Sequence, residues 1–413
     1  MNTLATSFAL AFAYLREKPL ATLLNIVLLG LGVGTIIALA LTLSQAEQSM
    51  DRDAAGVDLV IGAKGSPLQL VLSTVFQIDI PTGNISIAEA ADIISKPAVK
   101  RAIPLALGDS YKTFRIVGTD AAYLELYGAT LHEGRMWDAP MEAVVGAEVA
   151  RIAGLATGRS FAGSHGLTDG GGGHAGHPYT VVGVLKPTGS VIDRVILTSL
   201  ASVWRVHEHA ATPATGNKSH ADNDKDHADH EDGKEVTAYL VQYATPLAAA
   251  SFPRAVNANS SLQAAAPAME TARLFNLLGV GITALKGFAA IMMLCAALGI
   301  FVGLMNALDE RRADLALLRL LGASRATVFL TIVAQGFALG LAGVILGVLI
   351  GHAGAEWMGA ALAKNHRIAL TGFTLVREEF WVVGSALGLA VLAGLFPAWR
   401  AYRHAVPQLL SRT

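Results

Sequence analysis

Charge and cysteine are both scarce in this chain of 413 residues. Asp, Glu, Lys and Arg make up 15% of it, against about 25% in an ordinary soluble protein. Beside a hydrophobic content of 53%, that shortage argues against a soluble enzyme and for lipid. The net charge of -1 offers no electrostatic footprint for nucleic acid. The one cysteine, Cys295, sits in an apolar run. No intrachain disulfide can form, so an extracytoplasmic domain has to hold together by packing alone. Catalytic motifs are missing too. There is no Gly-x-x-x-x-Gly-Lys-[Ser/Thr] phosphate loop and no Gly-x-Ser-x-Gly nucleophile elbow. Neither His132-Glu133 nor His207-Glu208 is followed by the second histidine of a His-Glu-x-x-His zinc site. No catalysis is expected from this chain.

What is abundant is uninterrupted apolar sequence. Four stretches carry no Asp, Glu, Lys or Arg: Pro19–Ala46, Gly287–Leu308, Ala326–Ala355 and Phe380–Trp399. A helix needs about 20 such residues to cross a hydrocarbon core of about 30 Å, so each predicts a transmembrane helix. The first run is about twice the length of a signal-peptide core, normally about 7–15 residues. Before it, Leu4, Phe8, Phe12 and Leu15 recur at helical spacing and predict an interfacial elbow helix. Gly30 and Gly34, Gly336 and Gly340, Gly343 and Gly347, and Gly384 and Gly388 stand four apart, a spacing that lets helix backbones approach in lipid.

Orientation follows from the positive-inside rule. Arg16, Lys18, Arg311, Arg312, Arg319, Arg325, Arg400, Arg403 and Arg412 fall on one side. Lys364, Arg367 and Arg377 lie in the short loop opposite. Both termini are therefore expected in the cytoplasm of a bacterial cell, and the long segment after span one in the periplasm.

The expected fold class is a membrane protein of four transmembrane α-helices with an α+β extracytoplasmic domain inserted after the first. In order, residues 1–18 form the elbow, 19–46 span one, 47–270 the outer domain, 271–308 a stalk with span two, and 309–325 a cytoplasmic segment. Span three (326–355), a short outer loop (356–379), span four (380–399) and a cytoplasmic tail (400–413) follow. Between Ala268 and Leu308 no proline or loop cluster intervenes, which allows one helix of about 60 Å. Span one can likewise continue through Gln45–Arg52.

Within the outer domain, strands are predicted at Val57–Gly62, Val99–Leu105, Thr113–Val117, Ala143–Gly146, Tyr179–Val184, Arg194–Leu197 and Val236–Gln242. Helices are predicted at Ile87–Ser95, Ala147–Ala153, Ser199–Val206 and Leu247–Asn257. Two tracts break the pattern. Gly163–Gly176 is glycine-rich with His165, His174 and His177 in or beside it, and His207–Asp232 holds His207, His209, His220, His227 and His230 among aspartates. Both compositions predict loops. Their imidazoles predict weak zinc binding, although the irregular spacing gives no tetrahedral signature.

Between spans two and three, Glu310–Val328 reads "ERRADLALLRLLGASRATV". Leu315, Leu318 and Leu321 recur at helical spacing beside Glu310, Arg311, Arg312, Asp314 and Arg319, and Gly322 fits a helix stop. This motif resembles the cytoplasmic signature of FtsX-like permeases, the membrane subunits of MacB-type ABC transporters. The ending "GLFPAWRAYRHAVPQLL" and the opening "LAFAYLREKPLATLLNIVLLGLGVG" are similar to the same family. So are "VDLVIGAKGSPLQLVLSTVFQIDIPTGNI", "AVVGAEVARIAGLATGRSF" and "YTVVGVLKPTGSVIDRVIL", which resemble its periplasmic core domain. The histidine-rich insert departs from the family's pattern.

The resemblance implies a homodimeric inner-membrane permease bound to a separate cytoplasmic ABC ATPase, which holds the ATP. It implies that Glu310, Arg311, Arg312, Asp314, Leu315, Leu318, Arg319 and Gly322 form the ATPase-coupling segment. Cargo of this family is handled in the periplasm, as lipoprotein, lipid, peptide or a metal-related ligand. The alternative is a signalling permease that controls a periplasmic partner protein without transporting cargo. Apart from zinc, no cofactor is expected on the chain itself, and membrane lipids complete its partners.

Overall fold

A computed structural model describes residues 3–165, 178–208, 234–310, 317, 320, 322, 324–363 and 370–403. The chain opens with helices α1 (Thr3–Glu17) and α2 (Pro19–Asp53), then β1 (Leu59–Ala63), α3 (Pro67–Thr74), β2 (Ile85–Ser86) and α4 (Ile87–Ile94). Next come β3 (Val99–Tyr111), β4 (Phe114–Thr119), α5 (Ala121–Leu126), β5 (Leu131–Gly134), β6 (Glu142–Val145) and α6 (Ala147–Ala153). Strands β7 (Ser160–Phe161), β8 (Ser164–His165), β9 (Tyr179–Leu185) and β10 (Val195–Ser199) precede α7 (Leu200–Glu208). The last strands are β11 (Glu235–Val236), β12 (Ala238–Tyr243) and β13 (Leu262–Ala265), with α8 (Ala248–Asn259) before β13. Helices α9 (Pro267–Glu310), α10 (Arg325–Ala363) and α11 (Arg377–Arg403) close the chain.

These elements form two compact units. One comprises Met1–Ala46, Leu278–Lys364 and Ile368–Thr413, the other Glu47–Leu277 with 365–367. Among the described residues, four helices, α2, α9, α10 and α11, are long and apolar enough to cross a membrane. Pro19 opens α2 at the position where its missing N–H is harmless, and the chain bends at Lys18. There Thr22 donates its N–H to Lys18 O and its hydroxyl to Leu15 O, both at 3.1 Å. The predicted stripe of α1 divides. Leu15 packs among Ile300, Leu304 and Leu339 and Ala11 is buried, whereas Phe12 is exposed with the Arg16 guanidinium over its ring. The elbow helix thus packs against α10.

Glycine spacing explains how the membrane helices meet. A Cβ on Gly343 would lie 2.9 Å from Leu29 Cβ, and one on Gly347 only 2.6 Å from Val33 Cβ. Gly30 and Gly34 face Leu346 and Ile350 in return, so α2 and α10 interlock through paired small residues. Gly336 and Gly340 make the same close approach to Ala390 of α11. The expectation fails for Gly384 and Gly388: nothing among the described residues comes within 4 Å of where their Cβ would be.

The second unit is built on a sheet of order β13-β1-β12-β3-β4-β10-β6-β9-β5, with β7 on β9 and β8 on β3. Pairing is antiparallel except for β4 with β10 and β6 with β9. Strand β3 is longer than its predicted Val99–Leu105. Its first half pairs with β12 and its second with β4 and β8, so one strand serves both halves of the sheet. Leu59, Ile61, Tyr239 and Phe252 build a core at one end, and Phe114, Ile116, Phe161 and Tyr179 another. Ile103, Leu105, Val117 and Leu197 fill the middle. Fully burying each such side chain contributes about 1.5–3 kcal/mol, the packing a disulfide-free domain depends on.

The predicted strand Val236–Gln242 divides at Thr237. Val236 pairs with Ile85 of β2, while β12 pairs with β1 and β3. Between them the Thr237 hydroxyl accepts the Leu107 N–H at 2.9 Å and lies 3.1 Å from Asn84 Oδ1. The open edge of β13 is covered from within the chain. Asn257 accepts the Ala264 N–H at 2.7 Å and donates to Ala264 O at 3.0 Å, which blocks edge-to-edge pairing there.

Candidate coupling site

The coupling segment starts where α9 ends. Glu310, the last residue of α9, pairs with Lys18 Nζ at 2.5 Å, joining positions 292 apart in sequence. Both side chains are about half exposed, and an exposed pair of this kind is worth less than about 1 kcal/mol. It sets where the segment begins more than how stable it is. Gly322 has φ +101, the left-handed backbone that stops a helix and that a residue with a Cβ adopts poorly. Ser324 then accepts the Thr327 N–H on its hydroxyl at 3.2 Å, capping the start of α10.

Of the eight predicted coupling residues, Glu310 and Gly322 are placed in this way. Arg311, Arg312, Asp314, Leu315, Leu318 and Arg319 lie outside the described residues. Leu317 and Leu320 are described as helical, and they are 57% and 64% exposed. Periodicity had singled out Leu315, Leu318 and Leu321 because the run "LALLRLL" places leucine around most of a helix.

At the opposite end of the membrane unit, the turn before α11 is clamped by polar side chains. Gln45 of α2 donates to Thr371 O at 2.8 Å and accepts the Thr371 N–H at 2.9 Å. Glu356 of α10 accepts the Gly372 N–H at 2.7 Å. The His352 ring bridges Gly372 O, 2.5 Å from Nδ1, and Glu379, 3.2 Å from Nε2. The other oxygen of the buried Glu379 accepts the Val376 N–H at 3.1 Å. Three helices thus hold one turn. Glu379→Ala leaves the Val376 N–H and the His352 ring without that partner, a loss of about 2 kcal/mol. Amide exchange of Thr371–Val376 is therefore expected to quicken roughly thirtyfold, read by deuterium uptake in detergent.

In the second unit, the last turn of α2 is fastened to the loop before β10. Asp53 is buried and pairs with Arg194 at 2.8 Å. Its backbone oxygen accepts the Tyr127 hydroxyl at 2.8 Å, and Arg52 donates to Gly189 O at 3.2 Å. The loop itself is closed by Asp193, whose carboxylate accepts the N–H groups of Thr188 and Gly189 at 2.9 and 2.7 Å.

Burial pushes the Asp53 carboxyl up to about 6 against the pull of Arg194. The folded chain then takes up this proton near pH 6, the unfolded chain only near 3.8. The associated stabilisation is full below the unfolded value and is lost as pH rises through about 6. Relative to Asp53→Asn, the native chain should gain about 1 kcal/mol between pH 7 and pH 5. Melting of both proteins at the two pH values checks this.

The histidine tracts contribute little to the described structure. His165 ends β8, whose backbone pairs with Asp109, and His207 lies in α7. His174, His177, His209, His220, His227 and His230 lie outside the described residues. Among the described residues no group of three or more metal-ligating side chains gathers.

Comparison with known proteins bears on this geometry. The family model for the FtsX-like permease C-terminal region matches residues 286–406, and that for the MacB-like periplasmic core domain matches residues 22–252. Among solved structures, the chain is similar to the periplasmic region of MacB from Actinobacillus actinomycetemcomitans. They are 12% identical with a TM-score of 0.33, covering 55% of this chain and 96% of that one. The extracellular domain of the noncanonic ABC-type transporter YknZ from Gram-positive bacteria is 11% identical with a TM-score of 0.29, covering 50% and 98%. No curated protein sequence matches the chain.

Proposed function

Because this chain belongs to the family of FtsX/MacB-type ABC transporter permeases, we propose that it couples ATP hydrolysis on a separate cytoplasmic ATPase to movement of its own periplasmic domain, which handles cargo. The family works with a cytoplasmic ABC ATPase, and the chain is a membrane protein with a periplasmic domain. The observation that carries the proposal is helix α9. It runs unbroken for 44 residues from Pro267, directly after strand β13, to Glu310 at the head of the coupling segment. At 1.5 Å per residue that is about 66 Å, twice the hydrocarbon thickness. A push at Glu310 is transmitted along such a rod without a hinge to absorb it.

A second copy of the chain packing against α9 is supported by the exposed apolar side chains of Leu285, Phe288, Ile291, Leu294 and Leu298. The membrane boundary is supported by aromatic residues at both ends of α11. Trp381 and Trp399 are exposed and 18 residues apart, about 27 Å along a helix, with Arg403 stacked on Trp399. Trp and Tyr favour the two interfaces and arginine the cytoplasmic one, which supports an inner position for Trp399 and, with four spans, cytoplasmic termini. A reporter active only in the periplasm should work when fused near Ser219 and fail near Ala313. The reverse pattern would place the coupling segment on the wrong side of the membrane.

A further inference from the structure

Where α1, α2, α9 and α10 meet there is a small pocket of about 60 Å³. Its walls are largely apolar, from Leu15, Ile300, Leu304 and Leu339, but Asn25 of α2 and Gln335 of α10 border it as well. Gln335 is only 5% exposed. Neither amide has a hydrogen-bond partner among the described residues, and neither counts among the side chains whose polar atoms are wholly enclosed by protein. Room for Asn25 is built into α9: a Cβ on Gly299 would lie 2.2 Å from Asn25 Oδ1. Tyr14, Lys18 and Thr22 also line the pocket; Lys18 is neutralised by Glu310 and the Thr22 hydroxyl is bonded to Leu15 O.

Two amides at a largely apolar pocket are costly if they bond to nothing. The pocket is too small for a lipid headgroup or acyl chain. It has ample space for more than one water, since about 10–15 Å³ suffices for each. The neutral surroundings give no reason for an ion. We propose that this pocket is an internal hydration site, in which bound water bridges Asn25 of α2 to Gln335 of α10. Water-mediated bonds re-form when their partners shift, at little cost. The bridge would therefore let α2 and α10 slide at their inner ends while the coupling segment moves. That consequence rests on the transporter reading. The hydration itself does not.

Brief X-ray radiolysis of the full chain in lipid nanodiscs tests the site, because hydroxyl radicals born from bound water label the side chains that touch it. Leu304 and Leu339 are buried, as is Leu41, which lies in an apolar core with Leu29, Val33 and Ile37. Leu304 and Leu339 should be labelled several-fold faster than Leu41. The paired substitution Asn25→Leu with Gln335→Met keeps both shapes, and it should bring their labelling down to that of Leu41 without lowering the melting temperature. Labelling of Leu304 and Leu339 equal to Leu41 in the unaltered chain would overturn the proposal, whatever the variant does. So would unchanged labelling in the variant at any melting temperature, which would mean that water there does not depend on the two amides. Neither outcome touches the ATPase, so the transporter reading stands or falls separately.

Discussion

Leu317→Asp and Leu320→Asp, introduced together, are expected to strip the ATPase from the permease while leaving its insertion in the membrane intact. Both leucines are exposed in a helical segment that no span requires. Apolar anchors of that kind fill a groove on a partner, and truncating one typically costs about 2 kcal/mol or more. A carboxylate costs more than truncation, because it must be desolvated in an apolar groove without a cation to meet it. Two such losses correspond to a fall in affinity of at least roughly a thousandfold. Arg319→Ala removes only a rim charge, with a cost below about 1 kcal/mol, and should weaken the complex without abolishing it. Leu318→Asp tests which leucines dock. If Leu317 and Leu320 make the docking ridge, Leu318→Asp has the smaller effect in pull-downs from detergent.

The second large effect is expected from Gly347→Val. Its Cβ would stand 2.6 Å from Val33 Cβ and Cγ1 and 3.0 Å from the Gly30 carbonyl oxygen. These atoms are backbone or next to it, so no flexible side-chain end can move aside, and α2 and α10 must separate. Overpacking at a tight contact costs about 1–3 kcal/mol, and the upper end applies here because both helices carry the strain. Gly384→Ala and Gly388→Ala serve as controls. With open space at both Cβ positions, they should be neutral, or stabilising by up to about 1 kcal/mol through helix propensity. Unfolding of the three variants in detergent reads the difference directly.

The contrast among the glycine pairs shows what sequence can disclose. Four-residue spacing identifies a face able to pack, but not whether anything packs there: Gly343 and Gly347 meet α2, whereas Gly384 and Gly388 meet nothing described. The spans were legible because lipid imposes a minimum length on an unbroken apolar run. Helix α6, with Gly146 before it and Gly154 in left-handed backbone after it, falls at the predicted Ala147–Ala153. Helix α3 escaped prediction although its signals were present: Ser66 caps it through the Gln69 N–H, and Pro67 opens it. Strand β5 could hardly be read, since its residues alternate no apolar face and three of its four are exposed.

The coupling site was legible as a motif but not as an arrangement. Lys18 with Glu310 and Gln45 with Thr371 are long-range pairs, and no local periodicity reports them. The Asp53–Arg194 joint is hidden for the same reason. Each of these pairs depends on which helix ends come together in three dimensions, and that is decided by packing.

The central claim is that ATP binding by the partner ATPase, docked at the inner end of α9, moves the outer end of that helix. Met269 lies in the first turn of α9 and is 73% exposed, so a spin label there, as Met269→Cys in a Cys295→Ser background, perturbs little. Distances between the labels of two copies should be measured in the permease–ATPase complex, without nucleotide and with ATP held unhydrolysed. The account predicts that ATP shifts the distance distribution, and that Leu317→Asp with Leu320→Asp abolishes the shift. An identical distribution in both states, in a complex that still turns over ATP, would contradict it.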